Sequence, residues 1–158
     1  MRIVREILGY AVGGILFVIL LPLLMWLVSG RPSSCPSALL LVVALLLAVV
    51  GLSVSIWAIV YMRRKGDGNP MDAFGHEVAP RTSRLMMQGP YRYSRNPMLT
   101  GIFIYYAGVC LWLVSWQSLA VFAVFVAVML VQVRSEEKRL HRDFGTEYDE
   151  YCRRTRRF

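Results

Sequence analysis

Two charged segments on either side of the last long apolar stretch contain the residue types that could bind a zwitterion. The first segment, residues 89–101, carries Arg92 and Arg95 among tyrosines, and the second begins with Glu136 and Glu137. A guanidinium binds a carboxylate through paired hydrogen bonds, and a carboxylate binds an ammonium. If the two segments meet, they offer both charges to one ligand. The alternative is that both are ordinary solvated charges at the ends of apolar helices.

Asn96 and Pro97 predict that a helix begins at Pro97. Asn is favoured at the N-cap, and the first helical residue does not need the N–H donor that proline lacks. The positive end of such a helix favours a carboxylate, and Gly101, one turn later, has no side chain to block a ligand. A competing interpretation is an elbow at the membrane surface, with arginines against lipid phosphates and tyrosines in an interfacial belt.

The acidic pair is predicted to lie near the end of a helix that begins in the last apolar stretch. The next signal for a helix end is Gly145, so this helix should continue through Glu136 and Glu137. Glu136 and Leu140 then share one face, because residues four apart are neighbours on a helix.

A short tail helix is predicted after Gly145. Thr146, with Asp149 three residues later, has the pattern of a capping box. Phe144, Tyr148 and Tyr151 would then line one side of the tail. That side could cover a pocket, or it could anchor the tail at the membrane surface.

Uncharged apolar stretches determine the predicted architecture. Residues 7–30 and 37–62 each exceed the roughly 20 residues that a helix needs to cross a membrane. Residues 97–133 are long enough for two crossings, with a polar break at 115–118. We therefore predict an all-α integral membrane protein with four transmembrane helices. The predicted spans of this single domain, 1–158, are 7–30, 37–62, 97–114 and 117–137, with a loop over 63–96 and a tail over 138–158.

The basic residues predict the orientation in the membrane. They occur before the first span, between the second and third, and after the fourth, whereas the opposite side has only Arg31. By the positive-inside rule both termini and both charged segments face the cytoplasm. A cofactor made in the cytosol could reach them there.

Composition excludes several other classes of protein. The chain has 158 residues, of which 56% are hydrophobic, too apolar for an ordinary soluble domain. Its net charge of +8 comes from residues that flank apolar spans, so we predict contact with the bilayer and no nucleic-acid binding. Cys35, Cys110 and Cys152 have no CxxC spacing, and His76 and His141 have no ligand spacing, so no disulfide framework and no metal site are predicted. The oligomeric state leaves no signal in the sequence.

Together the two charged segments resemble one family of membrane enzymes. Gly-Pro-Tyr-Arg-Tyr-x-Arg-Asn-Pro-Met at 89–98, Glu-Glu-x-x-Leu at 136–140 and Phe-Gly-x-Glu-Tyr at 144–148 are similar to the isoprenylcysteine carboxyl methyltransferase and phospholipid methyltransferase superfamily. The resemblance covers roughly residues 63–154. It implies transmembrane helices with a cytoplasmic loop and tail, S-adenosylmethionine as the enclosed methyl donor, and a lipophilic or small-molecule acceptor that arrives from the bilayer.

The resemblance assigns donor-binding roles to individual positions of this chain. Glu136 matches the acid that binds the donor, and Tyr148 lies on the side of the tail that would cover it. The family commonly has Tyr where this chain has Leu99. The predicted donor-binding residues are Leu85, Met86, Gly89, Tyr91, Asn96, Pro97, Met98, Leu99, Gly101, Glu136 and Tyr148.

Four further residues are predicted to act on the methyl acceptor. Isoprenylcysteine enzymes are expected to hold the substrate carboxylate with an Arg one helical turn before the first Glu, where this chain has Gln132. The resemblance therefore implies an acceptor other than a prenylcysteine carboxylate, unless Arg95 or Arg134 replaces that Arg. An ammonium or alcohol acceptor must first lose a proton, and Glu137 is the predicted general base.

Three alternatives remain open from the sequence. The protein could be a carboxyl O-methyltransferase of the isoprenylcysteine type. Membrane sterol reductases resemble the same C-terminal region, but the extra phosphate of NADPH needs a larger basic cradle than the short Arg clusters present here. A non-catalytic membrane protein is the third alternative.

Overall fold

The computed structural model describes residues 13–30, 36–65 and 85–158, and these are mostly helical. No β-strand occurs in this described part, where a single isolated bridge joins Ser94 and Arg156. The predicted all-α class is therefore confirmed for these ranges. In chain order, the elements are a π-helix at Ile15–Leu20, α1 at Leu21–Val28, α2 at Ala38–Lys65, a 3₁₀ turn at Gly89–Arg92, α3 at Pro97–Leu113, α4 at Trp116–Phe144 and α5 at Thr146–Arg154.

Two of these helices, α2 and α4, are long and apolar enough to cross a membrane. At about 1.5 Å per residue, the 28 residues of α2 extend about 42 Å, more than the hydrocarbon core of roughly 30 Å. The helical segment Ile15–Val28 and helix α3 are also apolar but shorter. The four predicted spans and their orientation stay predictions.

The predicted helix boundaries agree with the structure at the two positions that matter for function. Helix α3 begins at Pro97, and α4 continues through the acidic pair and ends before Gly145. Helix α2 runs to Lys65, three residues beyond the predicted span. Residues 7–12 of the first predicted span and residues 66–84 of the predicted loop lie outside the described ranges.

The chain divides into two compact units, and the first is held together by close helix contacts. This unit comprises Met1–Leu52 and Gly101–Ala127. A methyl group at Gly51 of α2 would lie 2.5 Å from the Gly101 carbonyl oxygen, and one at Gly108 of α3 would lie 2.6 Å from the Ala44 carbonyl oxygen. Only glycine permits the two backbones to approach this closely.

Tyrosine hydroxyls fasten α3 to the π-helix within the same unit. The Tyr105 hydroxyl donates to the Val18 carbonyl at 3.1 Å, and the Tyr106 hydroxyl donates to the Phe17 carbonyl. Phe125 of α4 packs against the rings of Phe17 and Tyr106. These bonds satisfy carbonyl groups in the apolar interior, where unpaired polar groups are costly.

The second unit, Ser53–Thr100 and Val128–Phe158, contains both charged segments. Within it, the Ser55 hydroxyl of α2 donates to the Met98 carbonyl at 2.8 Å. This bond fixes the first turn of α3 beside the end of α2, so that the loop entering α3 has a defined position.

Candidate functional site

The segment that leads into α3, residues 85–96, forms the first wall of the site. Gly89 has φ of +62°, and a methyl group there would lie 2.5 Å from the Tyr61 ring, so glycine is required on both grounds. Tyr91 is buried, and its ring packs against Tyr61 with the centroids 6.5 Å apart. The Asn96 carbonyl accepts the Thr100 N–H at 2.9 Å. We call residues 85–96 the elbow.

The second wall is the tail, residues 145–158. Gly145 has φ of +51° and lets the chain turn from α4 into α5, as predicted. The predicted capping box is wrong, since α5 begins after Gly145 without a side-chain cap. Asp149, the expected partner of Thr146, instead lies 2.9 Å from His141 Nδ1. A side-chain contact to His141 of α4 takes the place of the cap.

The tail folds back onto the elbow through backbone hydrogen bonds. The Arg95 N–H donates to the Arg156 carbonyl at 2.8 Å. The Ser94 hydroxyl and the Asn96 side-chain amide both donate to the Arg157 carbonyl, at 3.1 and 3.2 Å. These bonds bring residues 156–157 against the elbow.

One further bond fastens α5 to the elbow. The Tyr151 hydroxyl donates to the Tyr91 carbonyl at 2.6 Å, and both tyrosines are buried. Burial raises the pKa of Tyr151, so its hydroxyl keeps the proton that it donates. The tail is therefore attached to the elbow at two places, through Tyr151 and through residues 156–157.

Glu137 of α4 is the ionic centre that links the elbow and the tail. Arg157 donates two hydrogen bonds to its carboxylate, from Nε to Oε1 at 3.0 Å and from Nη2 to Oε2 at 2.7 Å. Arg95 Nη2 lies 3.1 Å from Oε1. The side chains of Glu137 and Arg95 are only 15% and 13% exposed. The hydrogen bonds that Arg157 donates to Glu137 raise the pKa of Arg157. Three segments distant in sequence therefore share one ion-pair cluster.

A cavity lies between the elbow, α4 and the tail, within the second compact unit. Its wall combines an acidic and basic part with an apolar and aromatic part. The lining residues are Met62, Leu85, Met86, Tyr91, Arg95, Asn96, Glu136, Glu137, Leu140, Tyr148 and Tyr151.

Two buried atoms in this wall have no hydrogen-bond partner within the described ranges, Arg95 Nε and the Tyr148 hydroxyl. Tyr148 is only 3% exposed. Burial is the main cause that raises the pKa of Tyr148, and Cys152 and Glu137 raise it further. The positive charge of Arg95 opposes this shift. Cys152 is close to the hydroxyl, but the two lack the geometry of a hydrogen bond. The Tyr148 hydroxyl is therefore a protonated donor.

Eight of the fifteen residues predicted for the site line this cavity. They come from the elbow, α4 and α5, and they are Leu85, Met86, Tyr91, Arg95, Asn96, Glu136, Glu137 and Tyr148. The remaining predicted residues do not line it. Gly89, Pro97, Met98, Leu99 and Gly101 belong to the elbow or the first turns of α3, Gln132 lies one turn before Glu136, and Arg134 is exposed.

Three lining residues were not predicted as part of the site. Leu140 follows Glu136 by one helical turn, so the helical period could have identified it. Tyr151 is on the aromatic side of the tail, which was expected to cover a pocket. Met62 lies far away in the sequence at the end of α2, and its type and position give no signal for a site.

A family model described as phospholipid methyltransferase matches residues 39–147, which include the elbow, α3, α4 and all but the first residue of α2. Comparison with curated proteins and with solved structures gives no match.

Proposed function

The chain belongs to the phospholipid methyltransferase family, and on this premise we propose that it transfers a methyl group from S-adenosylmethionine to a lipophilic acceptor at the cytoplasmic face of a membrane. The observation that carries the proposal is the cavity, where acidic, basic and apolar side chains line one space. A zwitterionic donor with apolar and aromatic parts requires all three kinds of surface.

The lining residues fit such a donor group by group. Glu136 is partly exposed and would bind the ammonium through a charge-assisted hydrogen bond. Leu85 and Met86 offer apolar surface, and the rings of Tyr91 and Tyr151 suit a sulfonium, since aromatic faces attract cations. When bound, S-adenosylmethionine supplies an electrophilic methyl group for an in-line displacement.

The protein's own contribution would be alignment and exclusion of water. Tyr148 and Tyr151 of α5 are buried, and the bond from Tyr151 to the Tyr91 carbonyl holds α5 on the elbow. A site whose walls are held together in this way can keep two reactants in one orientation, which lowers the entropic part of the barrier.

Gln132 bears on the choice of acceptor. It is neutral, and it does not line the cavity, so it offers no ion pair to a carboxylate there. We propose an acceptor other than a prenylcysteine carboxylate, with an amine, a thiol or another nucleophile on an amphiphile in its place.

Glu137 could act as a general base, or it could hold Arg95 and the tail in position. Each of its carboxylate oxygens already accepts a hydrogen bond from Arg157, and Arg95 lies beside one of them. Proton transfer from an ammonium acceptor to Glu137 therefore requires one of these contacts to open. We propose that Glu137 chiefly positions Arg95 and the tail.

Titration of the purified protein with S-adenosylhomocysteine and, separately, with NADPH tests the proposal. We expect S-adenosylhomocysteine to raise the melting temperature and to bind saturably, and NADPH to do neither, because the described residues that line the cavity form no large basic cradle for its extra phosphate. Binding of NADPH alone would support a reductase. Binding of neither ligand would contradict the proposed function.

A further inference from the structure

Among the described residues, the cavity wall contains two donors that lack a partner, whereas the hydroxyls of Tyr91 and Tyr151 each have one. Within the described part of the chain, Arg95 Nε and the Tyr148 hydroxyl are the buried side-chain nitrogen and oxygen atoms without a hydrogen bond. By contrast, the Tyr151 hydroxyl is bound to the Tyr91 carbonyl. Buried polar groups are normally satisfied, so two unpaired donors in one cavity wall indicate a ligand that completes them.

The chemistry of the two groups decides what that ligand is. A guanidinium Nε can only donate, and a tyrosine hydroxyl that retains its proton donates as well. Burial raises the pKa of Tyr148, which keeps that proton in place. The Arg95 and Tyr148 side chains line the same cavity, and both donor atoms are buried. Both would be satisfied by an oxygen that only accepts.

The local charge also favours an anion. Arg95 and Arg157 share one carboxylate, that of Glu137, so this cluster has one positive charge in excess. Because Glu137 occupies an Nη2 arm of Arg95, the Nε edge remains available to another group. The other acid in the wall, Glu136, has its own basic neighbour in Arg139 at 3.9 Å.

We propose that Arg95 Nε–H and Tyr148 O–H form an oxyanion subsite that binds one carboxylate or phosphate oxygen of a ligand in the cavity. The inference rests on the proposed function, which supplies two sources of such an oxygen. One is the amino-acid carboxylate of the methyl donor, and the other is an anionic group of the acceptor. The start of α3 was also predicted to bind the donor carboxylate, and there Asn96 lines the cavity whereas Pro97 does not.

Two tyrosine variants provide a matched test. Tyr148→Phe removes a hydroxyl that has no partner in the described part of the chain, so the melting temperature of the ligand-free protein should stay the same or rise. Tyr151→Phe removes a hydroxyl that donates to the Tyr91 carbonyl, so its melting temperature should fall. Arg95→Lys keeps a positive charge beside Glu137 but has no Nε–H fork, and it should reproduce the binding effects of Tyr148→Phe.

Binding by calorimetry identifies the source of the oxygen. If it belongs to the donor, Tyr148→Phe should weaken S-adenosylhomocysteine about tenfold or more and leave the decarboxylated analogue unaffected. If it belongs to the acceptor, affinity for S-adenosylhomocysteine should stay the same and the KM for the lipid acceptor should rise by a similar factor. Both results support the subsite. Unchanged donor affinity together with an unchanged acceptor KM would overturn it.

A third probe, inorganic phosphate, separates failure of the subsite from failure of the proposed function. If the wild type binds no S-adenosylhomocysteine, the function is wrong. The subsite then still predicts that phosphate stabilises the wild type against heat and stabilises Tyr148→Phe distinctly less. Equal stabilisation of the two proteins, or no stabilisation of either, would overturn the subsite.

Discussion

Replacing Glu137 by Gln tests whether this residue holds the tail on the elbow. The carboxylate accepts hydrogen bonds from Nε and Nη2 of Arg157, and it lies 3.1 Å from Arg95 Nη2. Gln keeps the size of the side chain but removes its charge. Arg95, which is 13% exposed, would then lose its counter-ion in a largely buried place, whereas Arg157, at 39%, can be solvated.

The expected loss of stability follows from these exposures. Removing one partner of a buried ion pair costs about 3–5 kcal/mol, and removing one partner of an exposed pair costs about 0–1 kcal/mol. Glu137 and its partners lie between these limits, so we expect about 2–3 kcal/mol. For a chain of this length, that lowers the melting temperature by roughly 4–12 °C.

Calorimetry of the purified variant measures this shift, and hydrogen exchange over residues 146–157 shows whether the tail opens first. Glu150→Gln is the matched control, because Glu150 pairs with Arg154 at 3.8 Å on an exposed face. The control should lose less than about 1 kcal/mol. Equal melting temperatures for the wild type and Glu137→Gln would refute the reasoning, and a loss of turnover alone would then favour the predicted base.

Three more predictions concern the donor, the packing and the topology. Glu136→Gln should weaken S-adenosylhomocysteine about ten- to a hundredfold by calorimetry, since a charge-assisted hydrogen bond is lost; unchanged affinity would assign Glu136 to structure. Gly51→Ala should lower the melting temperature because its methyl group would meet backbone at 2.5 Å, whereas Gly14→Ala has open space and should not. Cysteines introduced at positions 34 and 75, in a chain without its native cysteines, should be labelled from opposite sides of the membrane; labelling from one side would contradict the predicted topology.

Much of the fold follows from features that are local in the sequence. The uncharged stretches identify α2 and α4, because a helix in lipid needs a length and a composition but no particular partner. Asn96 with Pro97 marks the start of α3, and Gly145 marks the end of α4, because both depend on local backbone geometry.

The contacts that close the candidate site could not be predicted in this way. The tail binds the elbow partly through the carbonyl groups of Arg156 and Arg157, and a backbone carbonyl is present at every residue. Glu137 binds Arg157 although the tail contains several arginines, and only the fold of the tail distinguishes Arg157 from the others. Thr146 shows the converse. Its local pattern predicted a cap, but in the structure Asp149 contacts His141 of α4 instead.

Transfer of a tritiated methyl group from S-adenosylmethionine tests the central claim most directly. The purified protein is incubated with a membrane lipid extract and, in parallel, with a farnesylated cysteine analogue, with Glu136→Gln as the matched control. We expect label in the lipid fraction, little label in the analogue, and a marked decrease in the control. Efficient labelling of the analogue as a base-labile methyl ester would contradict the proposed acceptor, and label in neither acceptor would contradict the proposed methyl transfer itself.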